Sequence, residues 1–96
     1  MSEYQYEIMM VDKKERWIFL RADEMDLEDP DSFCFLLKRI KDDLKGSLIE
    51  IESDSYQIEN DPCRLNYQWD GCFGITIVYP KDLSYERVLD FLSKYF

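Results

Sequence analysis

The chain has 96 residues, 46% of them hydrophobic and 16% aromatic, and a formal net charge of −9. That length suits one domain with a real core, and the hydrophobic fraction excludes an intrinsically disordered chain. No run approaches the ~20 apolar residues of a membrane-spanning helix, and the first residues lack the basic start and apolar core of a signal peptide. We therefore expect a single domain over residues 1–96 that is cytoplasmic and has no membrane partner.

The first predicted elements are two strands with the sequence YEIMMVDKKERWIFLRA. A turn at Lys13-Lys14 pairs Met10 with Trp17 and places Ile8 and Phe19 beside them. The remaining side chains form a second apolar face: Met9, Val11, Ile18 and Leu20. A hairpin that is apolar on both faces is either central in a sheet or covered by a second layer. This second face motivates one hypothesis, a homo-oligomerising structural or regulatory module that forms a homodimer through the first hairpin.

An acidic run follows, with six acids and no base in residues 22–31. It lacks the ligand spacing of a calcium loop, so it is typical of a solvated connection and indicates no metal site. Next, Asp29 can cap a helix, Pro30 suits the first helical position and Gly46 can end it. The apolar face of this predicted helix has helical spacing: Phe33, Leu36, Leu37, Ile40 and Leu44.

Residues 47–59, SLIEIESDSYQIE, alternate apolar and polar side chains with the period of a half-buried strand pair. A turn at Ser53-Asp54 pairs Ile51 with Tyr56 on the inner face. The outer face is then mostly acidic and polar: Leu48, Glu50, Glu52, Gln57 and Glu59.

The run CRLNYQWDGCFGITIVYP predicts a second hairpin. A three-residue loop at residues 69–71, with Gly71 left-handed, places the apolar partners on one face. The pairs are Tyr67 with Phe73, Leu65 with Ile75, and Cys63 with Ile77. This register puts Trp69 at an exposed loop tip, where it either serves as an interface anchor or folds back onto the sheet.

The last segment, LSYERVLDFLSKYF, predicts a helix with Ser84 as its cap. The element order is therefore ββαββββα. We predict an α+β fold in which a mostly antiparallel sheet has two helices packed on one face.

The residue content argues against most enzymatic chemistry. The chain has no histidine, the commonest general base and metal ligand. The three cysteines, Cys34, Cys63 and Cys72, form no Cys-x-x-Cys pair and suggest reduced structural thiols, with a Cys63–Cys72 bridge left open. We expect no catalytic residue, metal or cofactor, and a non-enzymatic protein; an enzyme would need a deep pocket with two acids or an activated thiol.

The charge distribution suggests a partner. Residues 47–79 hold six acids and one base, which disfavours direct binding of nucleic acid and favours attraction to a basic protein. The hypothesis is a stoichiometric inhibitor, such as an immunity protein or a phage-encoded blocker, of a nuclease or other basic nucleic-acid-binding protein. The alternative is that the charge serves only solubility. The predicted partner-binding residues are Glu50, Glu52, Asp54, Glu59, Asp61, Asn66, Gln68 and Trp69.

Overall fold

The structure, a computed structural model, describes residues 4–23 and 30–96. Its strands are β1 (Tyr6–Asp12), β2 (Trp17–Ala22), β3 (Leu48–Glu52), β4 (Ser55–Ile58), β5 (Asn66–Asp70) and β6 (Gly74–Val78). Its helices are α1 (Asp31–Leu44) and α2 (Tyr85–Leu92), followed by a 3-10 turn, Ser93–Tyr95. All six strands form one antiparallel sheet in the order β1-β2-β6-β5-β4-β3. The predicted α+β class and the order ββαββββα are confirmed.

One face of the sheet is covered by both helices. Alternate side chains of the central strands point to this side and are fully buried: Ile18, Leu20, Tyr67, Ile75 and Ile77. The helices pack against them with one apolar face each: Phe33, Leu36, Leu37 and Ile40 from α1, and Val88, Phe91 and Leu92 from α2. The opposite side, which we call the open face, holds Met10, Asp12, Trp17, Phe19, Asn66, Gln68, Thr76 and Val78.

Helix α1 ends one residue earlier than the sequence indicates. Lys45, not Gly46, adopts the left-handed conformation, and the Gly46 amide donates to the carbonyl of Lys41. Gly46 is needed for a different reason, because a Cβ at this position would lie 2.0 Å from the carbonyl oxygen of Glu59. At the other end Pro30 directly precedes the helix, whereas the predicted Asp29 cap and most of the acidic run lie in residues 24–29, outside the described residues.

In the first hairpin the register differs from the prediction. The turn spans four residues, 13–16, and a bulge at Met9 shifts the register of the first half of β1 by one residue. Of the second apolar face, Ile18 and Leu20 are buried beneath the helices, Val11 is half-buried and Met9 is exposed. Met10 and Trp17 on the other face also stay in solvent, because the two helices occupy only one side of the sheet.

The β3–β4 hairpin has the predicted turn at Ser53-Asp54 but a different register. A bulge at Ile51 lets Glu52 pair with Ser55 while Glu50 pairs with Tyr56. Tyr56 and Ser55 are consecutive and point to opposite sides, so Glu50 and Glu52 do not share a face. The prediction of one outer face that holds both glutamates is therefore wrong, and β3 is an edge strand that is exposed at every position.

The β5–β6 register also differs from the prediction. The loop is residues 71–73, and Tyr67 pairs with Ile77 rather than with Phe73. Gly74, not Gly71, takes the left-handed conformation, with φ of 82°. The two strands extend further toward the loop than predicted, so Trp69 lies within the sheet opposite Ile75. Its ring is therefore on the apolar helix side.

Four tyrosines of the core have pKa values raised above the usual value: Tyr6, Tyr67, Tyr79 and Tyr95. Burial is the first cause in each, and for Tyr67 and Tyr95 a hydrogen-bonded carboxylate adds to it. Unfolded tyrosines ionise near pH ~10, while these stay neutral in the folded state. The unfolded state then binds fewer protons, so stability is intact below pH ~10 and falls above it, by up to about 1.4 kcal/mol per pH unit for each tyrosine.

An alkaline titration followed by phenolate absorbance and far-ultraviolet circular dichroism tests this. We expect the buried tyrosines to ionise together with loss of secondary structure. Phenolate absorbance from all seven tyrosines rising smoothly near pH ~10, with the fold intact, would contradict the burial of these four rings.

Candidate protein-binding surface

An aromatic patch lies on the open face, formed by Met10, Trp17, Phe19 and Phe73. Trp17 meets Phe19 edge-on with 6.0 Å between ring centroids, and Phe19 meets Phe73 at 5.7 Å. Phe19 is buried by its neighbours, whereas Met10, Trp17 and Phe73 are 55%, 41% and 64% exposed. Adjacent large apolar side chains in solvent are typical of interaction surfaces on small soluble proteins.

Local structure explains why these side chains converge. The bulge at Met9 turns Met10 to the same side as its partner Phe19. Phe73 lies in the loop after β5, where the Asp70 carboxylate accepts hydrogen bonds from the amides of Cys72, at 2.7 Å, and of Phe73, at 3.2 Å. This Asp turn holds Phe73 over Phe19 and presents its ring to solvent.

A shallow hollow of about 370 Å³ adjoins the patch. Besides the patch residues, its walls include Asp12, Gln68, Asp70 and Thr76. Carboxylates at the border of an aromatic surface suit a side chain with an apolar stem and a cationic end, as lysine and arginine have. The hollow can therefore receive a basic side chain from a partner.

The exposed carboxylates form an acidic end on the opposite edge of the sheet, which we define as Glu50, Glu52, Asp54 and Glu59. None of the four forms an ion pair with a described residue. Glu52 belongs to the open face with its partner Ser55, while Glu50 belongs to the helix side with Tyr56. Their charges thus surround the edge of the sheet rather than covering one face.

Two predicted site residues are internal. Asp61 is only 7% exposed, and its carboxylate accepts hydrogen bonds from the amides of Cys63, at 2.8 Å, and Leu65, at 3.1 Å, and from the Tyr67 hydroxyl, at 3.1 Å. Trp69 is half-buried on the helix side, with its ring centroid 5.9 Å from that of Phe33. Asp61 organises the loop before β5, and Trp69 is a packed residue rather than an exposed anchor.

Asn66 and Gln68 lie between the aromatic patch and the acidic end. Both are half-buried on the open face of β5. The Asn66 side-chain oxygen accepts a hydrogen bond of 2.8 Å from the Ser55 hydroxyl, which ties β5 to β4. Across the open face, the side chains are therefore aromatic near β2, amides on β5 and acidic at β3.

Met10, Trp17 and Phe73 were not among the partner-binding residues that the sequence predicted. A signal was present, since the first hairpin was apolar on both faces while both helices were predicted to pack on one face of the sheet. The pattern could not show which face the helices would take. Phe73 was missed for another reason, because the assumed register placed it inside the sheet.

The described residues were also compared with the requirements of a metal site, a disulfide and a membrane-spanning helix. In the described ranges no three His, Cys, Asp or Glu side chains are grouped as metal ligands. Cys63 is buried, Cys34 and Cys72 are exposed, and no disulfide joins them. No helix in the described part of the chain has the length and apolar character needed to cross a membrane.

Comparisons with protein-family models, with curated proteins and with solved structures give no match.

Proposed function

We propose that this protein is a non-enzymatic binding domain whose open face engages a basic protein. The observation that carries the proposal is the aromatic patch, where Met10, Trp17 and Phe73 stay in solvent although the central strands of the same sheet are buried beneath the helices on their other face. Exposed aromatic and methionine side chains are enriched at the centres of protein interfaces, where they supply most of the binding energy.

The acidic end gives this interface its preference for a basic partner. Its four carboxylates are not neutralised by described lysines or arginines, and the chain has a net charge of −9. Such a field raises the rate of encounter with a positively charged surface and weakens as salt is added. The concrete form of the proposal is a stoichiometric inhibitor of a nuclease or other nucleic-acid-binding protein, which occupies the cleft that normally binds phosphates.

Capture of partners from an extract of the native host tests the apolar contribution. We expect Phe73→Ser or Trp17→Ser to lower the amount of captured partner about tenfold or more relative to the wild type. Removal of a central aromatic side chain typically weakens the binding free energy by about 2 kcal/mol or more. Tyr85→Ser is the control, because it removes a half-buried aromatic ring from α2 instead of the open face. Retention unaffected by either open-face substitution contradicts the proposal.

Matched charge reversals test the electrostatic contribution with the captured partner. Glu52→Lys and Asp90→Lys change the net charge equally, but Asp90 is exposed on α2. We expect Glu52→Lys to slow association about tenfold at low salt and Asp90→Lys to have a much smaller effect. Equal slowing by the two variants would mean that only total charge matters.

Competition with nucleic acid tests the inhibitor form separately. A DNA or RNA oligonucleotide should displace the protein from its partner, because both would occupy the same basic cleft. Simultaneous binding of oligonucleotide and protein contradicts this form, while the open-face binding function would stand.

The aromatic patch also favours a second candidate, self-association through the open face. Light scattering distinguishes the two functions, since a monomer at high protein concentration removes the homo-oligomer. A dimer that Phe73→Ser converts to a monomer supports it.

A further inference from the structure

The outermost strand beside the acidic end, β3, is open along its outer edge. Within the described part of the chain it pairs with β4 alone, and all five of its residues are exposed. Three of them are large and apolar, with Leu48, Ile49 and Ile51 exposed by 41%, 44% and 47%. An exposed edge strand with apolar side chains is a template for pairing with another chain.

The hydrogen bonds of the hairpin show which main-chain groups are available. The Glu59 amide donates to the Ser47 carbonyl at 2.9 Å, so Ser47 faces β4 at a hydrogen-bonded position. Main-chain groups in an antiparallel pair alternate in direction, so those of Leu48 and Glu50 point away from β4. The bulge at Ile51 ends this alternation and limits the free edge to the first part of the strand.

We infer that β3 receives an extended, basic segment of the partner protein as an added strand. This inference rests on the proposed function and identifies how the partner is held. The added strand makes main-chain hydrogen bonds to Leu48 and Glu50, as in other strand-addition complexes. Its lysine or arginine side chains lie opposite Glu50, and an apolar side chain lies opposite Ile49 on the open face.

Charge disfavours a second copy of this chain as the occupant. Antiparallel pairing of two β3 strands centred on Glu50 sets the two Glu50 carboxylates against each other. Like charges directly opposite each other destabilise a strand pair, whereas opposite charges stabilise it. Glu50 therefore opposes self-pairing in this register and favours a basic strand.

A peptide probe tests the inference directly. The probe is an octapeptide of alternating lysine and valine, blocked at both ends, and its control replaces each lysine with glutamate. We expect the lysine peptide to bind about tenfold or more tightly than the control and to slow hydrogen exchange at the amides of Leu48 and Glu50. Absence of binding, or binding without protection of these amides, overturns the inference.

Two substitutions at one position separate the main-chain contact from the side chain. Leu48→Pro removes an outward amide but no hydrogen bond to β4, so the fold is retained. Leu48→Ala removes the same side chain and keeps the amide. We expect Leu48→Pro to weaken binding of the lysine peptide about tenfold and Leu48→Ala to change it less than about threefold. Equal effects of the two variants overturn strand addition.

Reversal of one charge gives a test that does not depend on how Leu48→Pro folds. Glu50→Lys should invert the preference, so that the glutamate peptide binds more tightly than the lysine peptide. An unchanged preference overturns the inference. A native partner that is lost with Phe73→Ser but unaffected by Leu48→Pro and Glu50→Lys also overturns it, while the proposed function of the open face survives.

Discussion

Asp61→Ala is expected to lower the free energy of unfolding by about 3–5 kcal/mol, a large part of the stability of a domain this size. The Asp61 carboxylate is the acceptor for two buried main-chain amides, those of Cys63 and Leu65, and for the hydroxyl of Tyr67. Alanine leaves all three donors without a partner in a site that water reaches poorly. Each unsatisfied buried donor costs about 1–3 kcal/mol. Urea denaturation followed by circular dichroism measures the loss.

Tyr67→Phe is the control for this network. It removes one hydroxyl and keeps both amide hydrogen bonds, so we expect a loss of only about 1 kcal/mol. If Asp61→Ala costs no more than Tyr67→Phe, the carboxylate does not organise the loop before β5. The result also decides the role of Asp61, because a surface partner-binding residue would affect binding without affecting stability.

Gly46→Ala should also destabilise the protein strongly, by about 2–4 kcal/mol. The added Cβ would lie 2.0 Å from the Glu59 carbonyl oxygen and 2.8 Å from its carbonyl carbon. Both are main-chain atoms, so the junction between α1 and β3 must move as a unit to relieve the contact. Thermal denaturation should show a clearly lower midpoint.

Gly71→Ala is the matched control. A Cβ at Gly71 meets no atom within 4 Å, and this residue lies in the exposed loop after β5. We expect its stability to stay within about 0.5 kcal/mol of the wild type. Similar losses for the two variants would show that the penalty at residue 46 is not steric.

Element type and order were predictable because each element has a strong local pattern. The apolar face of α1 repeats with helical spacing, and Ser84 accepts a hydrogen bond from the Arg87 amide as the predicted cap of α2. The turn at Ser53-Asp54 was also correct, with Asp54 at a positive φ of 60°. These features depend on neighbours within a few residues, which is the range that a sequence pattern records.

Register and face were less predictable because one inserted residue reverses every later side chain. The bulges at Met9 and Ile51 have no glycine or proline to indicate them. The bulge at Ile51 separated Glu50 from Glu52, which had been expected on one surface. The choice between the two apolar faces of the first hairpin depended on helix packing, a long-range effect, so the aromatic patch could not be assigned from the pattern alone.

The most direct test of the open face as the binding surface uses two natural cysteines. Cys72 is exposed in the loop beside Phe73, and Cys34 is exposed on α1, on the helix side of the sheet. Their alkylation rates should be measured in the isolated protein and in the complex with its captured partner. The proposed function predicts that the partner slows alkylation of Cys72 by about fivefold or more and leaves that of Cys34 unchanged. Shielding of Cys34 with unaltered reactivity of Cys72 would contradict it.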